Sequence, residues 1–195
     1  MATFGEDSDE ALMDQVAKGD AGAYRALVRG HADRFLSLAE RILMDRAEAE
    51  DVVQEAFTKL WTDAYRFDSS KARFTTWFYR VVANRCLDRK RKVRPSALPE
   101  TYDAADNAPN AEERLQESHR GRAVHAALAD LPERQRLAVT LCYLEGMSNA
   151  EAAAVIGLSV KGLESLLSRA RSALRTALGP DKAALLGGDA KESGG

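Results

Sequence analysis

The sequence predicts an all-α protein made of two small helical domains joined by a flexible linker. Apolar residues recur at spacings of three and four along most of the 195 residues, as they do on the buried face of an α-helix. The repeat stops over residues 96–111, where Pro99 and Pro109 interrupt a stretch of Ala, Asp, Asn and Glu. Such a stretch cannot build a core. We therefore expect a first domain over residues 9–95, an acidic linker over 96–111 and a second domain over 112–178.

Composition excludes several classes of protein. Hydrophobic residues make up 45% of the chain and charged residues 30%, which is the usual balance of a soluble protein. No apolar run approaches the roughly 20 residues of a membrane-spanning helix. The acidic N-terminus lacks the basic start and apolar stretch of a signal peptide. We expect a cytoplasmic protein that does not insert into membranes, with a disordered glycine-rich tail over residues 179–195.

The first domain shows the helical repeat in several stretches. Residues 49–61 keep their apolar side chains on one face, and Asp51, Gln54 and Glu55 lie on the opposite face. A break rich in turn and cap residues follows at residues 67–71. The segment beyond this break is also amphipathic, and we expect it to form the next helix.

That helix is predicted to begin near Phe74 and to stop before Pro95, because the residue before a proline disfavours helical backbone. Trp77 falls on its apolar side together with Phe78 and Val81. This spacing favours a core role for Trp77, with base stacking as the alternative.

Positive charge is concentrated at the end of the first domain. Between Arg66 and Arg94 there are ten basic residues and only two acidic ones, Asp68 and Asp88. Acidic segments flank this stretch, so the net charge of −2 conceals it. The asymmetry favours a surface that binds a polyanion, and an ordinary solvated charged face is the alternative.

Residues 147–175 contain the sharpest local signal. Ser148 and Glu151 fit a capping box, Gly157 suits a turn that needs a positive φ, and Ser159 can cap the next helix. Two short helices about a glycine turn indicate a helix-turn-helix, whose second helix enters a DNA major groove. An ordinary helical hairpin is the alternative.

Polar side chains occupy the exposed start of the second helix of this pair. A glutamate accepts a hydrogen bond from the cytosine amine and a lysine donates to guanine, whereas arginines further along suit phosphates. The predicted DNA-binding residues are Ser159, Val160, Lys161, Glu164, Ser165, Ser168, Arg169 and Arg171.

Two groups of motifs resemble the sigma-70 family. They are residues 51–57 (DVVQEAF), 60–61 (LW) and 74–84 (FTTWFYRVVAN) in the first domain, and 131–136 (LPERQR), 144–148 (LEGMS), 157–159 (GLS) and 168–171 (SRAR) in the second. Because both domains carry motifs in the same order, and no third domain intervenes, the chain resembles the extracytoplasmic-function (ECF) group of sigma factors. It departs from many relatives in having Lys161-Gly162-Leu163 in place of Gly-Thr-Val, which affects the base contacts more than the DNA-binding role.

The resemblance implies an alternative sigma factor that directs core RNA polymerase to a set of promoters, in a stress or envelope response. Asp51, Gln54 and Glu55 would dock on the clamp coiled coil of the β′ subunit, and the β flap is a further implied contact. The second domain would bind the −35 promoter element. An anti-sigma factor is a further implied partner.

The segment 74–84 resembles the element that contacts and opens the −10 region. Such a site must capture an unstacked base and hold a single strand, which calls for a basic groove with stacking or hydrogen-bonding groups. The predicted residues are Asp68, Ser69, Lys71, Arg73, Tyr79, Arg80, Asn84, Arg85, Arg89, Lys90 and Lys92.

Enzymatic function is not indicated. The sequence has no P-loop, GxSxG motif, HExxH motif or clustered metal ligands, so we expect no catalytic residue, metal or cofactor. A metal site formed by Cys86 with His119 or His125 is less favoured than packing of the cysteines. The main alternative function is a stand-alone helix-turn-helix regulator acting as a dimer, although no heptad seam is evident.

Overall fold

A computed structural model describes residues 8–93 and 123–178, and every regular element in these ranges is helical. The elements are α1 (Asp9–Val16), α2 (Ala21–Leu43), α3 (Arg46–Asp63) with a 3₁₀ turn (Ala64–Arg66), α4 (Phe74–Val93), α5 (residues 123–129), α6 (Glu133–Val139) with a π-helical turn (Thr140–Leu144), α7 (Asn149–Ile156) and α8 (Val160–Leu178). The all-α prediction is confirmed. The predicted linker and tail lie outside the described residues.

Short polar side chains set the starts of the long helices. The Asp20 carboxylate accepts hydrogen bonds from the amides of Gly22 (2.6 Å) and Ala23, and Asp45 accepts from the amide of Glu48 at 3.0 Å. These contacts satisfy amides that lack a partner in the first helical turn. Between α2 and α3, Met44 adopts a left-handed conformation with φ 56°. The chain therefore reverses direction within a few residues, and α3 lies along α2.

Helix α1 fixes the start of α4. A carboxylate oxygen of Glu10 accepts a hydrogen bond from the Phe74 amide at 3.0 Å. Beside it, the Nε2 atom of His31 lies 2.9 Å from a carboxylate oxygen of Asp9, and the His31 ring lies 5.2 Å from the Phe74 ring. The predicted start of this helix is confirmed, and it depends on a residue that lies 64 positions earlier in the chain.

An aromatic cluster forms the core of the N-terminal unit, which consists of α1 to α4. Phe78 lies at its centre, with ring centroids 4.6 Å from Phe35, 4.8 Å from Phe57 and 5.5 Å from Phe74. All four side chains are buried. Because these rings come from α2, α3 and α4, the cluster fixes the relative positions of the three helices that build the groove described below.

Arg136 is buried in the C-terminal unit, which consists of α5 to α8. Only 6% of Arg136 is exposed. Its guanidinium donates to the carbonyl oxygens of Leu128 (2.8 Å), Ala129 (2.7 Å) and Leu131 (2.9 Å). These carbonyls lie at and beyond the end of α5, where helical backbone runs out of donors. Arg136 therefore acts as a cap for that helix.

The two units pack against each other. Helix α6 contacts α2, helix α7 contacts α4, and the buried apolar residues of both units form one contiguous cluster. The sequence alone left the relative position of the domains open. Among the described helices, none is both long and apolar enough to cross a membrane.

The two cysteine thiols are expected to react slowly in the folded protein. Burial raises the pKa of Cys86 to about 12 and that of Cys142 to about 11, and the thiolate is the reactive form. At pH 8 we expect a thiol-disulfide reagent to modify both residues at least roughly 100-fold more slowly than in urea, with Cys142 first because Cys86 is fully buried. Rapid modification of Cys86 in the folded chain would contradict the packing role.

Candidate nucleic-acid and polymerase interface

A groove of about 620 Å³ runs between α3 and α4. Four of the residues predicted to bind the −10 element line it from α4. Across the groove, α3 supplies Glu55, one of the residues predicted to bind polymerase. The lining residues are Glu55, Lys59, Trp77, Arg80, Val81, Asn84, Arg85, Asp88 and Arg89. Two sets of residues predicted for different partners therefore meet at one concave surface.

Ion pairs join the two walls of this groove. Glu55 accepts from Arg85 at 2.5 Å and from Arg89 at 3.1 Å, and Arg89 also lies 3.2 Å from Glu48 and 4.0 Å from Asp51. The excess of ten basic over two acidic residues was counted over residues 66–94 alone. The carboxylates of α3 lie outside that stretch, and in the folded protein they offset part of its positive charge. Asp51 and Glu55 keep more than half of their side-chain surface exposed, and Gln54 is exposed beside them.

Trp77 is both a packing residue and a groove residue. Its ring contacts Phe67, with centroids 5.5 Å apart, and lies 6.4 Å from Phe74. The side chain is half-buried and its remaining surface lines the groove. Packing against the core fixes the ring, and the free surface is available to a stacked base.

The loop before α4 is shaped by Asp68. Its carboxylate accepts from the amide and the hydroxyl of Ser70, at 3.0 and 2.6 Å, and lies 2.7 Å from the Lys71 amine. These contacts, with that of Lys71 first, lower the pKa of Asp68 to about 2. Ser69, Lys71 and Arg73 are exposed in this segment, so Asp68 holds the loop while its neighbours face solvent.

Tyr79 lies apart from the other residues predicted to bind the −10 element. It is 1% exposed, and its hydroxyl donates to Glu145 of the C-terminal unit at 2.5 Å. Burial and this contact raise the pKa of the phenol. Lys90 is half-buried on α4, and the side chain of Lys92 lies outside the described part of the structure.

Local geometry of the helix-turn-helix agrees with the sequence in detail. Ser148 and Glu151 form a reciprocal capping box, whose contacts, led by the Ser148 hydroxyl, lower the pKa of Glu151. Gly157 ends α7 with φ 74°, and the Ser159 hydroxyl accepts from the Gly162 amide at 3.1 Å. The capping and turn predictions are confirmed.

The outer face of α8 is exposed to solvent along the helix. Leu163, Leu167 and Ala170 are buried and seat the helix on α6 and α7. Seven of the eight predicted DNA-binding residues belong to this helix and Ser159 precedes it; all eight are exposed. Gly162 fits the first turn closely, since a Cβ atom there would lie 3.3 Å from the Ser159 hydroxyl.

Sequence reasoning missed three residues that organise these surfaces. Glu10 holds the start of α4, Arg136 caps α5, and Glu145 joins the two units. Glu145 and Arg136 belong to quoted motifs, yet each could equally be a solvated charge. The three-dimensional contacts of the two side chains show that neither is a solvated charge. Among residues 8–93 and 123–178, no cluster of three or more metal-ligating side chains is present; His119 lies outside these ranges.

Family models match both units. The model for sigma-70 region 2 matches residues 27–95, and that for sigma-70 region 4 matches residues 121–174. The chain is 36% identical to the ECF RNA polymerase sigma factor SigE of Mycolicibacterium smegmatis, over 87% of this chain and 69% of that protein. It is 31% identical to the RNA polymerase sigma-H factor of Pseudomonas aeruginosa, over 90% of this chain and 96% of that protein.

Solved structures give the same result. The structure of CnrH in complex with the cytosolic domain of CnrY superposes with a TM-score of 0.65 and 30% identity, covering 87% of this chain and 96% of that chain. The sigma factor RpoE of Bartonella quintana, solved with the anti-sigma factor NepR, gives 0.60 at 21% identity, over 80% and 96%, and supports the fold alone. The chain belongs to the ECF group of the sigma-70 family of RNA polymerase sigma factors.

Proposed function

We propose that this sigma factor binds core RNA polymerase through the acidic face of α3 and directs it to promoters through two DNA-binding surfaces, the α3–α4 groove and the outer face of α8. The observation that carries the proposal is the presence of both surfaces on one chain of this family. Nothing in this activity requires covalent chemistry, and we place the protein in the cytoplasm with the polymerase.

The α8 face supports recognition of duplex DNA at a −35-type element. The capped turn fixes the angle between α7 and α8, and the N-terminal half of α8 offers a lysine, a glutamate and two serines to solvent. Hydrogen-bonding groups of this kind at the start of a second helix suit base edges in a major groove. Arg169 and Arg171, which follow directly along the helix and are exposed, suit the phosphates that flank those bases.

The α3–α4 groove supports capture of single-stranded DNA at a −10-type element. Arg80, Asn84 and Trp77 combine charge, an amide and an aromatic surface along one wall, which is the chemistry that holds unstacked bases and their backbone. The exposed residues of the loop at 69–73 lie at the N-terminal end of this wall. We assign strand capture to these residues, with Arg85 and Arg89 contacting the backbone once their carboxylate partners are engaged elsewhere.

The acidic face of α3 supports docking on basic side chains of the polymerase clamp. Asp51 and Glu55 are exposed carboxylates one helical turn apart, with Gln54 between them. We also propose the β flap as a contact of the C-terminal unit and an anti-sigma factor as a regulator. The CnrH structure contains the cytosolic domain of CnrY, which supports a partner of this kind for relatives that share both units.

Transcription reconstituted with core polymerase on a promoter library tests the proposal. We expect initiation that depends on this protein at promoters sharing a −10 and a −35 element. Alanine substitution of Asp51 and Glu55 should weaken polymerase binding without changing which promoters are chosen. If the protein fails to bind polymerase but binds duplex DNA selectively by itself, the stand-alone regulator replaces this proposal.

Substitutions on α8 should separate base contacts from phosphate contacts. We expect Glu164→Ala to relax the preference at one base pair of the −35 element by about 10-fold, a change on the order of 1–3 kcal/mol. Arg169→Ala should weaken binding to all DNA sequences equally. It should also reduce the slope of log affinity against log salt concentration by about one, which corresponds to one fewer released counterion. Thr176→Ala, exposed two turns beyond Arg169, is the control, and binding selections across −35 variants are the measurement. Equal loss on all sequences for Glu164→Ala would contradict the base contact.

A further inference from the structure

Helix α4 takes the cap of its first turn from another helix. The residue before it, Arg73, accepts the first helical hydrogen bond, from the Trp77 amide at 3.1 Å. An arginine side chain has no acceptor atom, so it cannot satisfy the free amides of that turn. Glu10 of α1 supplies the acceptor, because its carboxylate accepts from the Phe74 amide at 3.0 Å. This carboxylate also lies at the positive end of the α4 dipole, where negative charge is stabilising.

Helix α1 is held firmly enough to act as a support for α4. Its Met13 and Val16 side chains are buried in the core. Asp9, directly before Glu10, lies 2.9 Å from the Nε2 atom of His31 in α2. The two consecutive carboxylates therefore contact two different helices, and the position of Glu10 is fixed by α2 and the core rather than by α4 itself.

The loop at residues 67–73 is fixed at its two ends and exposed between them. At the first end, the Phe67 ring packs against Trp77, with centroids 5.5 Å apart. At the last end, the Glu10 contact holds the Phe74 amide. The contacts of Asp68 join residues within the loop, so they give it a shape but do not attach it to the core.

A cleft of about 500 Å³ lies between α1 and this loop. Its lining residues are Asp9, Glu10, Ser69, Arg73 and Thr75. The loop therefore has space to move toward α1, and the hydrogen bond from the Phe74 amide to Glu10 is the described contact that ties the two together across this cleft.

We propose that α1 takes part in recognition of the −10 element, with Glu10 as a positioning residue that holds the loop at 67–73 and the first turn of α4 in the conformation that captures the single strand. This inference rests on the proposed function of the α3–α4 groove. Without the Glu10 contact the first turn of α4 frays and the loop shifts. Only the molecules that keep the geometry capture the strand, so the apparent affinity falls by their fraction. The α8 face and the acidic face of α3 do not include α1, so their binding is unaffected.

Three substitutions of Glu10 separate the reach of its side chain from its charge. Glu10→Ala removes the acceptor, and we expect it to lower the affinity for a single-stranded −10 region about fivefold. Glu10→Asp keeps the charge on a side chain that is one methylene shorter, and should lose most of the same affinity. Glu10→Gln keeps an acceptor oxygen at the same reach, and should retain most of the wild-type affinity. Asp14→Ala, at an exposed carboxylate one turn further along α1, is the charge-matched control.

Fluorescence binding assays with holoenzyme, reconstituted from core polymerase and the full-length chain, measure these effects. One probe is a promoter fork whose −10 region is single-stranded, and the other is the duplex −35 element of the same promoter, chosen from the library experiment. We expect Glu10→Ala to weaken binding of the fork relative to the duplex, with unchanged affinity for polymerase. A purely structural role would weaken both probes alike. An unchanged ratio would overturn the inference, and so would a stronger fork complex, which is expected if the carboxylate only repels phosphates.

Hydrogen exchange on the free chain tests the physical step without polymerase or DNA. In Glu10→Ala the amides of Phe74 and Trp77 should exchange at least about fivefold faster than in the wild type, whereas Asp14→Ala should leave their rates unchanged. Equal rates in Glu10→Ala and the wild type would show that the carboxylate does not hold the start of α4, and would overturn the inference.

Arg80→Ala distinguishes this inference from the proposed function, because Arg80 lines the α3–α4 groove itself. If Arg80→Ala and Glu10→Ala both weaken binding of the fork, the inference and the proposed function both hold. If Arg80→Ala weakens it and Glu10→Ala does not, the role of Glu10 fails alone. If neither variant changes binding of the fork, the proposed function of the groove fails, and the inference fails with it.

Discussion

Replacing Arg136 by alanine is expected to lower the free energy of unfolding by at least about 3 kcal/mol, which corresponds to a fall in Tm of roughly 6–12 °C for a chain of this size. The guanidinium donates to four backbone carbonyls from two units. Removing it leaves these acceptors buried without a donor, and each such loss is costly. Burial lowers the pKa of Arg136, but the hydrogen bonds keep the charged form in place.

Arg134→Ala is the control for this prediction. Arg134 lies on the same helix two residues earlier and is exposed, so its substitution should change stability by no more than about 0.5 kcal/mol. Urea unfolding followed by circular dichroism measures both variants. Equal stability of the two variants would show that the Arg136 contacts are not made in solution.

Phe78→Ala is expected to destabilise the protein by about 3–5 kcal/mol. The ring is fully buried at the centre of the aromatic cluster, so truncation removes apolar burial, edge-to-face contacts and the filling of a closed space. Because the same ring contacts α2, α3 and α4, the loss should also widen the α3–α4 groove and reduce promoter opening. Thermal unfolding and permanganate detection of melted promoter DNA measure the two effects.

Phe78→Leu separates packing from aromaticity in this cluster. Leucine fills most of the volume, so we expect a loss nearer 1–2 kcal/mol. Val81→Ala, at a half-buried position that lines the groove from the same helix, serves as the comparison for a partly exposed position. Retention of full stability by Phe78→Ala would mean that the cluster does not hold the three helices together.

Features determined by neighbouring residues could be predicted from the sequence. Ser148, Glu151, Gly157 and Ser159 act within a few residues of one another, so their spacing alone gives the caps and the turn of the helix-turn-helix. The spacing of the apolar residues likewise predicts which face of each helix is buried. This prediction does not require knowing which other helix covers that face.

Features that depend on distant partners could not be predicted in this way. Glu55 pairs with Arg85, 30 residues away, and Tyr79 with Glu145, 66 residues away. A charge on a helix surface looks the same in sequence whether it meets water or a partner. Tyr79 lies one position before Arg80 but on another face of α4. The sequence does not show which of these two faces the C-terminal unit covers, so the two residues were predicted as one DNA-binding set. The site assignments themselves stay predictions.

The ion pairs across the α3–α4 groove also affect how the free protein behaves in a cell full of DNA. A phosphate that approaches Arg85 or Arg89 must compete with Glu48, Asp51 and Glu55, rather than join an unopposed cation. The gain from releasing condensed cations, which drives non-specific attachment to the chromosome, is correspondingly smaller. We therefore expect bulk genomic DNA to titrate the free protein less than it would titrate a factor with unpaired arginines in this groove, so that a larger share of its copies is free to bind polymerase.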